Sequence, residues 1–251
     1  MRNGEQFLSP IAHRGLHNAK RGIIENTQPA FEAAIAKGYG IECDLRPAAG
    51  GLPIVFHDET LNRLVAGRGP VAGLTGADLK RLRYRNSDTH VLTFAELLDL
   101  VDGRVPLLVE IKSEWDAPDL AFLKKIGKLA SAYKGPIGLM SFDPDVMAVV
   151  REFAPDVMRG IVSGSYVGAG WWNRKISRAR GARLRDLLES GPVAPDFFAY
   201  QIGALPTPVT EFTRTVLGLP LFTWTVRTAK DRQTAAKHAD AMIFEGFEPY
   251  G

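Results

Sequence analysis

Glu42 and Asp44 stand one residue apart in the apolar stretch Gly40-Ile41-Glu42-Cys43-Asp44-Leu45. On a strand their carboxylates project from one face, about 7 Å apart along the chain. Like charges so placed repel unless a positive charge sits between them, and a hard divalent cation such as Mg²⁺ or Ca²⁺ does this with carboxylate oxygens as ligands. Glu110, near the end of Leu107-Leu108-Val109-Glu110-Ile111-Lys112, offers a third carboxylate. An isolated Glu-x-Asp is most often a pair of solvent-facing charges. Its shared strand-end placement with Glu110 argues for a site.

His13 and His57 close two further apolar runs, Pro10-Ile11-Ala12 and Ile54-Val55-Phe56. A lone histidine is more often structural, but a pair flanking acidic ligands suggests proton transfer near neutral pH, with metal ligation as the competing role. Arg14 and Lys112 add cations beside these groups, and strand alternation sends Glu110 and Lys112 to the same side. Two cations, two histidines and an oxygen-ligated metal describe a site that stabilises charge on a phosphoryl oxygen.

Residues spread over a hundred positions meet only if the elements carrying them end at one face, as strand ends do in a parallel α/β barrel. Strand-like runs at 9–13, 40–45, 53–57, 105–112, 137–142, 158–162, 197–201, 221–226 and 241–245 alternate with helical patterns, as βα units require. Helices fit 29–37, with Thr27 as cap and Gly38 as stop, and 94–101, with Thr93 as cap and Glu96 three residues on. Further helices fit 118–133, 145–153, 177–190, 207–217 and 229–238. Nine strands exceed an eight-stranded barrel by one, so one is short, peripheral or misread. Pro47, Gly50 and Gly51 leave no room for a helix between the second and third strands, which are joined by a loop or an extended return. The expectation is a TIM-type (β/α)8 barrel, somewhat irregular, forming one domain over residues 1–251. Residues 58–91 form a Gly- and Arg-rich insertion after the third strand that serves as a rim over the site.

The chain has 251 residues, enough for one large core, and a formal charge of +3, too small an excess to make nucleic acid the default partner. With no apolar run long enough to cross a membrane and no apolar leader, the reading is a soluble, cytoplasmic protein. Its single cysteine, Cys43, points away from Glu42 and Asp44 and reads as a small packed hydrophobe. No segment specifies an oligomeric state.

Several linked motifs then become recognisable. His13-Arg14-Gly15, Glu25-Asn26-Thr27, Phe31-Glu32-Ala33-Ala34, Gly38, Glu42-Cys43-Asp44 and the run from Pro53 through His57-Asp58 to Asn62-Arg63 resemble the glycerophosphodiester phosphodiesterase family. The resemblance continues through Leu107 to Lys112, Ser141-Phe142-Asp143-Pro144 and Trp224-Thr225-Val226, in order over nearly the whole chain. It implies a barrel enzyme that uses one divalent cation, Mg²⁺ or Ca²⁺ with Mn²⁺ also admissible, to hydrolyse small-molecule glycerophosphodiesters to glycerol 3-phosphate and an alcohol. By the same resemblance Glu42, Asp44 and Glu110 match the metal ligands, and His13 and His57 the acid/base pair. Arg14 and Lys112 match the phosphate-binding cations, Phe142 and Trp224 line the substrate pocket, and Glu25 supports the site. The chain departs from the family pattern at Ile24, at Pro47-Ala48-Ala49-Gly50-Gly51, at Arg227 and at Glu245. These departures touch the rim and pocket and leave every implied ligand and histidine in place. Readings within the same fold are a phosphodiesterase acting on lysophospholipids or sugar phosphodiesters, and a non-catalytic phosphodiester-binding barrel. The binder would need the cations but not both histidines and three carboxylates.

The segment Trp171-Trp172 followed by Arg174, Lys175, Arg178, Arg180, Arg183 and Arg185 is the densest basic stretch. Contact with an anionic membrane surface is its less favoured reading; a solvated helix with an aromatic anchor into the barrel is the more favoured. Ser163 and Ser165 lack the context of a nucleophile elbow.

Overall fold

The computed structural model describes residues 4–168 and 170–250, in which nine strands form one sheet. They are β1 (Ile11–Ala12), β2 (Gly40–Ala48), β3 (Leu52–Val55), β4 (Leu107–Ile111), β5 (Ile137–Ser141), β6 (Met158–Ser163), β7 (Phe197–Gln201), β8 (Leu221–Val226) and β9 (Ala241–Phe244). β1 pairs with β2 on one side and β9 on the other, closing eight parallel strands into a barrel in the order β1-β2-β4-β5-β6-β7-β8-β9.

The ninth strand is β3, and it runs the other way. The apolar pattern ends the second strand at residue 45, whereas β2 continues to Ala48, turns through Ala49–Gly51 and returns as β3. The antiparallel pairing sets Leu45 opposite Val55 and Ala48 opposite Leu52. Pro47 and Pro53 face each other there, which is tolerable because the hairpin has left the barrel and neither proline must donate to a barrel ladder. His57 is therefore not at the end of a barrel strand. It reaches the same face because the hairpin rises above the barrel mouth and descends again, with the Phe56 N–H donating to Asp44 O at 3.0 Å.

The helices are α1 (Gln28–Ala36), α2 (Gly76–Arg81), α3 (Phe94–Val101), α4 (Leu120–Ala132), α5 (Pro144–Phe153), α6 (Arg178–Arg185), α7 (Pro208–Thr215) and α8 (Ala229–His238). Thr93 and Glu96 form a reciprocal capping box on α3, as their spacing predicts. Thr27 occupies the cap position of α1 without making a side-chain cap; its hydroxyl donates to Ile24 O at 2.6 Å. Pro29, in the first turn, has no amide hydrogen to offer such a cap.

Strand alternation divides the apolar residues into two layers. Phe7, Ile11, Leu108, Met140, Met158, Val162, Phe197, Phe222 and Ile243 fill the barrel interior. Ile41, Cys43, Leu45, Leu107, Val109 and Ile111 face the helices. Cys43 is thus buried on the side opposite Glu42 and Asp44, as expected. The segment after β3 carries its own apolar cluster, in which Phe56, Leu61, Val65, Val71, Leu79, Tyr84 and Val91 pack together, and it includes α2.

The basic segment is largely neutralised by nearby acids. Lys175 pairs with Glu59 and Glu114, Arg180 with Asp145 and Glu189, Arg183 with Glu189, and Arg185 with Asp186. The Trp171 side chain lies outside the described residues, while Trp172 meets Tyr166 edge-on at 5.9 Å between ring centroids. No helix among the described residues is long and apolar enough to cross a membrane.

Gly160 of β6 has no room for a side chain, because a Cβ there would lie 2.3 Å from the Phe197 ring. Gly160→Ala is expected to cost about 1–3 kcal/mol through overpacking of the barrel interior. Urea unfolding at unchanged m-value checks this, and a midpoint equal to wild type would contradict the packing described.

Candidate active site

Alternation along β2 turns Glu42 and Asp44 into the barrel mouth, and the β2–β4 register sets Asp44 directly opposite Glu110. The three side chains are buried, and each offers an oxygen within 4.8 Å of the other two. Burial, then the charges of Asp44 and Glu110, push the Glu42 carboxyl well above its ordinary range. Burial raises Glu110 as well. Burial opposes the charge of Asp44 too, but Lys112, Arg14 and His57 outweigh it and hold Asp44 well below the usual carboxylate range.

The positive groups come from two other places. Lys112, one residue past β4, sets its Nζ 2.7 Å from Asp44 Oδ1 and 2.5 Å from Glu110 Oε1. Burial works against its charge, yet these carboxylates keep it charged, with its pKa raised. Arg14 follows β1 with φ of 55°, a sparsely populated conformation for a non-glycine residue that directs its backbone N–H to Glu42 Oε2 at 3.0 Å. Gly15 completes that turn at φ 76°, where a Cβ would lie 2.9 Å from the Ala30 backbone. The Arg14 Nη1 donates to Glu25 Oε1 at 2.6 Å. Its Nε is buried, forms an ion pair with Asp44 Oδ2 at 3.3 Å and makes no hydrogen bond.

Each histidine is held through Nδ1 by a carboxylate. His13 Nδ1 donates to Glu245 Oε2 at 2.8 Å, and His57 Nδ1 to Asp58 Oδ1 at 2.8 Å. Burial lowers the His13 pKa despite Glu245. Burial, helped by Lys112 and Arg14, takes His57 down to about 4. Both shifts favour the uncharged imidazole. With Nδ1–H committed, each has Nε2 as its bare nitrogen, and His13 Nε2 lies 3.9 Å from Glu42 Oε2.

His13, Arg14, Glu42, His57, Glu110, Lys112, Phe142 and Trp224 line one cleft of about 720 Å³. Asp44 lies beneath it against Lys112, and Glu25 stands behind Arg14. Phe142 and Trp224 meet edge-to-face at 5.2 Å and, with Trp115, Met140 and Ile202, give the cleft an apolar wall. All ten residues singled out from the sequence thus gather around this mouth.

Sequence reasoning missed the groups that hold them. Asn26 is buried and donates through Nδ2 to Asp44 Oδ2 at 2.8 Å. Asp58 and Glu245 anchor the histidines, and Arg46 Nε donates to His57 O at 2.6 Å. The signal for Glu245 was present, since it ends a barrel strand as His13 does. Two departures from the family pattern also meet: Arg227 Nη2 donates to Glu245 Oε2 at 3.0 Å.

The model of the glycerophosphoryl diester phosphodiesterase family matches residues 13–245. The chain belongs to that family. A Mycobacterium tuberculosis relative, "Probable glycerophosphodiester phosphodiesterase 1", is 30% identical over 175 residues, 61% of this chain and 62% of that one. Human glycerophosphodiester phosphodiesterase 1 is 28% identical over 178 residues, 65% of this chain and 52% of its own length. This chain therefore spans between about half and three fifths of those relatives. A Caldanaerobacter subterraneus glycerophosphodiester phosphodiesterase is 25% identical over 238 residues, 90% of this chain and 89% of that one. Among solved structures, an Oleispira antarctica phosphodiesterase in complex with its product sn-glycerol 3-phosphate superposes with a TM-score of 0.74 at 18% identity, covering 94% of this chain and 92% of that one. Glycerophosphodiester phosphodiesterase from Thermotoga maritima gives 0.70 at 21% identity, covering 94% and 93%. At those identities the likeness is one of fold.

Glu25 and Asp58 share Arg63, which ties the segment after β3 to the β1–α1 loop. Burial opposes ionisation of both, but hydrogen bonds from Arg63, with Arg14 on Glu25 and His57 on Asp58, bring each down to about 2. Carboxylates depressed below their unfolded values of about 4 add stability that is complete above that pH and lost as pH falls toward 2. Glu25→Gln should flatten the fall of Tm between pH 5 and pH 2.5. An unchanged slope would show that this network does not couple to folding.

Proposed function

We propose that this chain is a metal-dependent phosphodiesterase that hydrolyses glycerophosphodiesters to sn-glycerol 3-phosphate and an alcohol. The observation that carries the reading is the meeting of Glu42, Asp44 and Glu110 oxygens within 4.8 Å in a cleft that also presents two histidines and two cations. The names of its relatives and the product bound to the Oleispira antarctica enzyme support the substrate class. An all-oxygen, buried and mutually repelling donor set fits one hard divalent cation, Mg²⁺ or Ca²⁺, with Mn²⁺ admissible. When bound by Glu42, Asp44 and Glu110, such an ion supplies Lewis-acid stabilisation of charge on the phosphoryl oxygens.

The chain's own residues do the rest. The Arg14 guanidinium and the Lys112 ammonium, which both line the cleft, bind non-bridging phosphoryl oxygens, fixing the diester against the histidines. One imidazole takes a proton at Nε2 from the nucleophile, either water or a neighbouring glycerol hydroxyl. The other, which first takes a proton at Nε2 from solvent, gives that proton to the departing oxygen, and the first returns its own to solvent to complete the cycle. Glu245 and Asp58 hold both rings in the tautomer that leaves Nε2 bare and stabilise the imidazolium that forms. Phe142 and Trp224 pack against the substrate's carbon skeleton.

A second reading is favoured by the cleft itself. At about 720 Å³ with an apolar wall it exceeds what glycerol phosphate fills, leaving room for a lysophospholipid.

The test is release of sn-glycerol 3-phosphate from glycerophosphocholine and glycerophosphoethanolamine, after chelation and after return of Mg²⁺, Ca²⁺ or Mn²⁺. Metal-restored release is expected; none with any metal, from folded protein, would overturn the proposal. His13→Ala and His57→Ala should each lower kcat by about 10²–10⁴-fold. Near-normal turnover in both variants would remove the acid/base roles. Glu42→Ala should abolish the metal response, and an unchanged metal titration would refute that ligand.

A further inference from the structure

Beside the carboxylate triad lies a second convergence of donors with different chemistry. His17, in the loop after β1, sets its Nε2 4.0 Å from Glu245 Oε2, the oxygen that holds His13 Nδ1 at 2.8 Å. One ligand atom from each of His13, His17 and Glu245 lies within 4.8 Å of the others. The three side chains are 14%, 18% and 24% exposed, so the cluster opens to solvent on one side. We infer that His13, His17 and Glu245 form a binding site for a borderline transition-metal ion, Zn²⁺ being the type case, and that occupancy of this site shuts the enzyme off.

Donor type separates it from the Glu42, Asp44 and Glu110 cluster. Two imidazole nitrogens and one carboxylate oxygen are the set that Zn²⁺, Ni²⁺ and Cu²⁺ take, whereas three carboxylates suit Mg²⁺ and Ca²⁺. With metal–ligand bonds of about 2.0–2.2 Å, neighbouring donors of a tetrahedral zinc site sit roughly 3.3–3.5 Å apart. The two histidine–Glu245 separations of 2.8 and 4.0 Å bracket that value and the imidazole nitrogens lie within 4.8 Å of each other, so side-chain shifts of about 1–2 Å assemble three ligands. The open side leaves the fourth position to water. Arg227, the other partner of Glu245 Oε2, is half exposed and can swing into solvent as the metal enters.

Inhibition follows from which nitrogen is taken, and it rests on the proposed acid/base role of His13. A metal on Nδ1 displaces the Glu245 hydrogen bond and forces the remaining proton onto Nε2. An imidazole so coordinated cannot take a proton at Nε2, and it loses the carboxylate that stabilises its charged form. His13 then no longer cycles between its two states.

Co²⁺, whose visible bands report coordination, is titrated into the full chain in saturating Mg²⁺, with His17→Ala and His17→Gln as variants and Glu42→Ala as control. One site is expected in wild type and in Glu42→Ala, weakened on the order of tenfold or more in both His17 variants. In parallel, Zn²⁺ should inhibit wild-type diester hydrolysis. The His17 variants should keep basal turnover and need on the order of tenfold more Zn²⁺. Co²⁺ binding and Zn²⁺ inhibition unchanged in both His17 variants would overturn the inference, as would Co²⁺ binding lost in Glu42→Ala alone. Because the Co²⁺ spectrum needs no turnover, it decides this site even if no glycerophosphodiester is hydrolysed.

Discussion

Three carboxylates cannot share a buried barrel mouth without positive charge among them. At an effective dielectric near 20, two unit charges 4.8 Å apart repel by about 3 kcal/mol, and Glu42, Asp44 and Glu110 make three such pairs at that distance or less. Lys112 bridges Asp44 and Glu110 from one side while Arg14 reaches Asp44 by its guanidinium and Glu42 by its backbone N–H. Two cations against three carboxylates leave a deficit of one positive charge, and burial first, then the neighbouring carboxylates, raise the pKa values of Glu42 and Glu110. A divalent cation would resolve this repulsion and, in the proposed reaction, add a centre for phosphoryl charge. Proximity makes the cluster costly in isolation and useful when occupied.

The irregular part of the fold is what brings a second histidine to that mouth. A barrel strand delivers side chains at its own C-terminal end, and His57 instead comes from the hairpin that β2 and β3 build above the mouth. That hairpin would be an unsupported projection if the segment after it were only a loop. Its small apolar cluster, with Phe56 against Tyr84 at 6.3 Å between rings, gives it a floor. Arg63 then ties the same segment to Glu25 and Asp58. The insertion thus sets the position of His57 and its carboxylate partner.

Much of this was legible in the sequence, for reasons that are local. Period-two alternation assigns Glu42, Asp44, Glu110 and Lys112 to one face without knowledge of the fold, and Thr93 with Glu96 announces a helix start. What escaped depends on tertiary context. The short Pro47–Gly51 connection already admitted the extended return that β3 makes, but that β3 lies outside the barrel is not encoded in its apolar run. Thr27 has the composition of a cap, but the adjacent Pro29 and the Ile24 carbonyl decide where its hydroxyl goes. Asn26 and Glu245 were visible as residues but not as partners, because Asp44 and His13 meet them only once α1 and β9 close on the barrel.

The most direct test of the charge argument is calorimetric titration of Ca²⁺ and of Mg²⁺ into the metal-free chain and its Asp44→Asn variant. One saturable site is expected in the wild type and loss of that site in the variant, with the fold retained by circular dichroism. Equal binding in both proteins, or no saturable binding to the folded wild type, would contradict it.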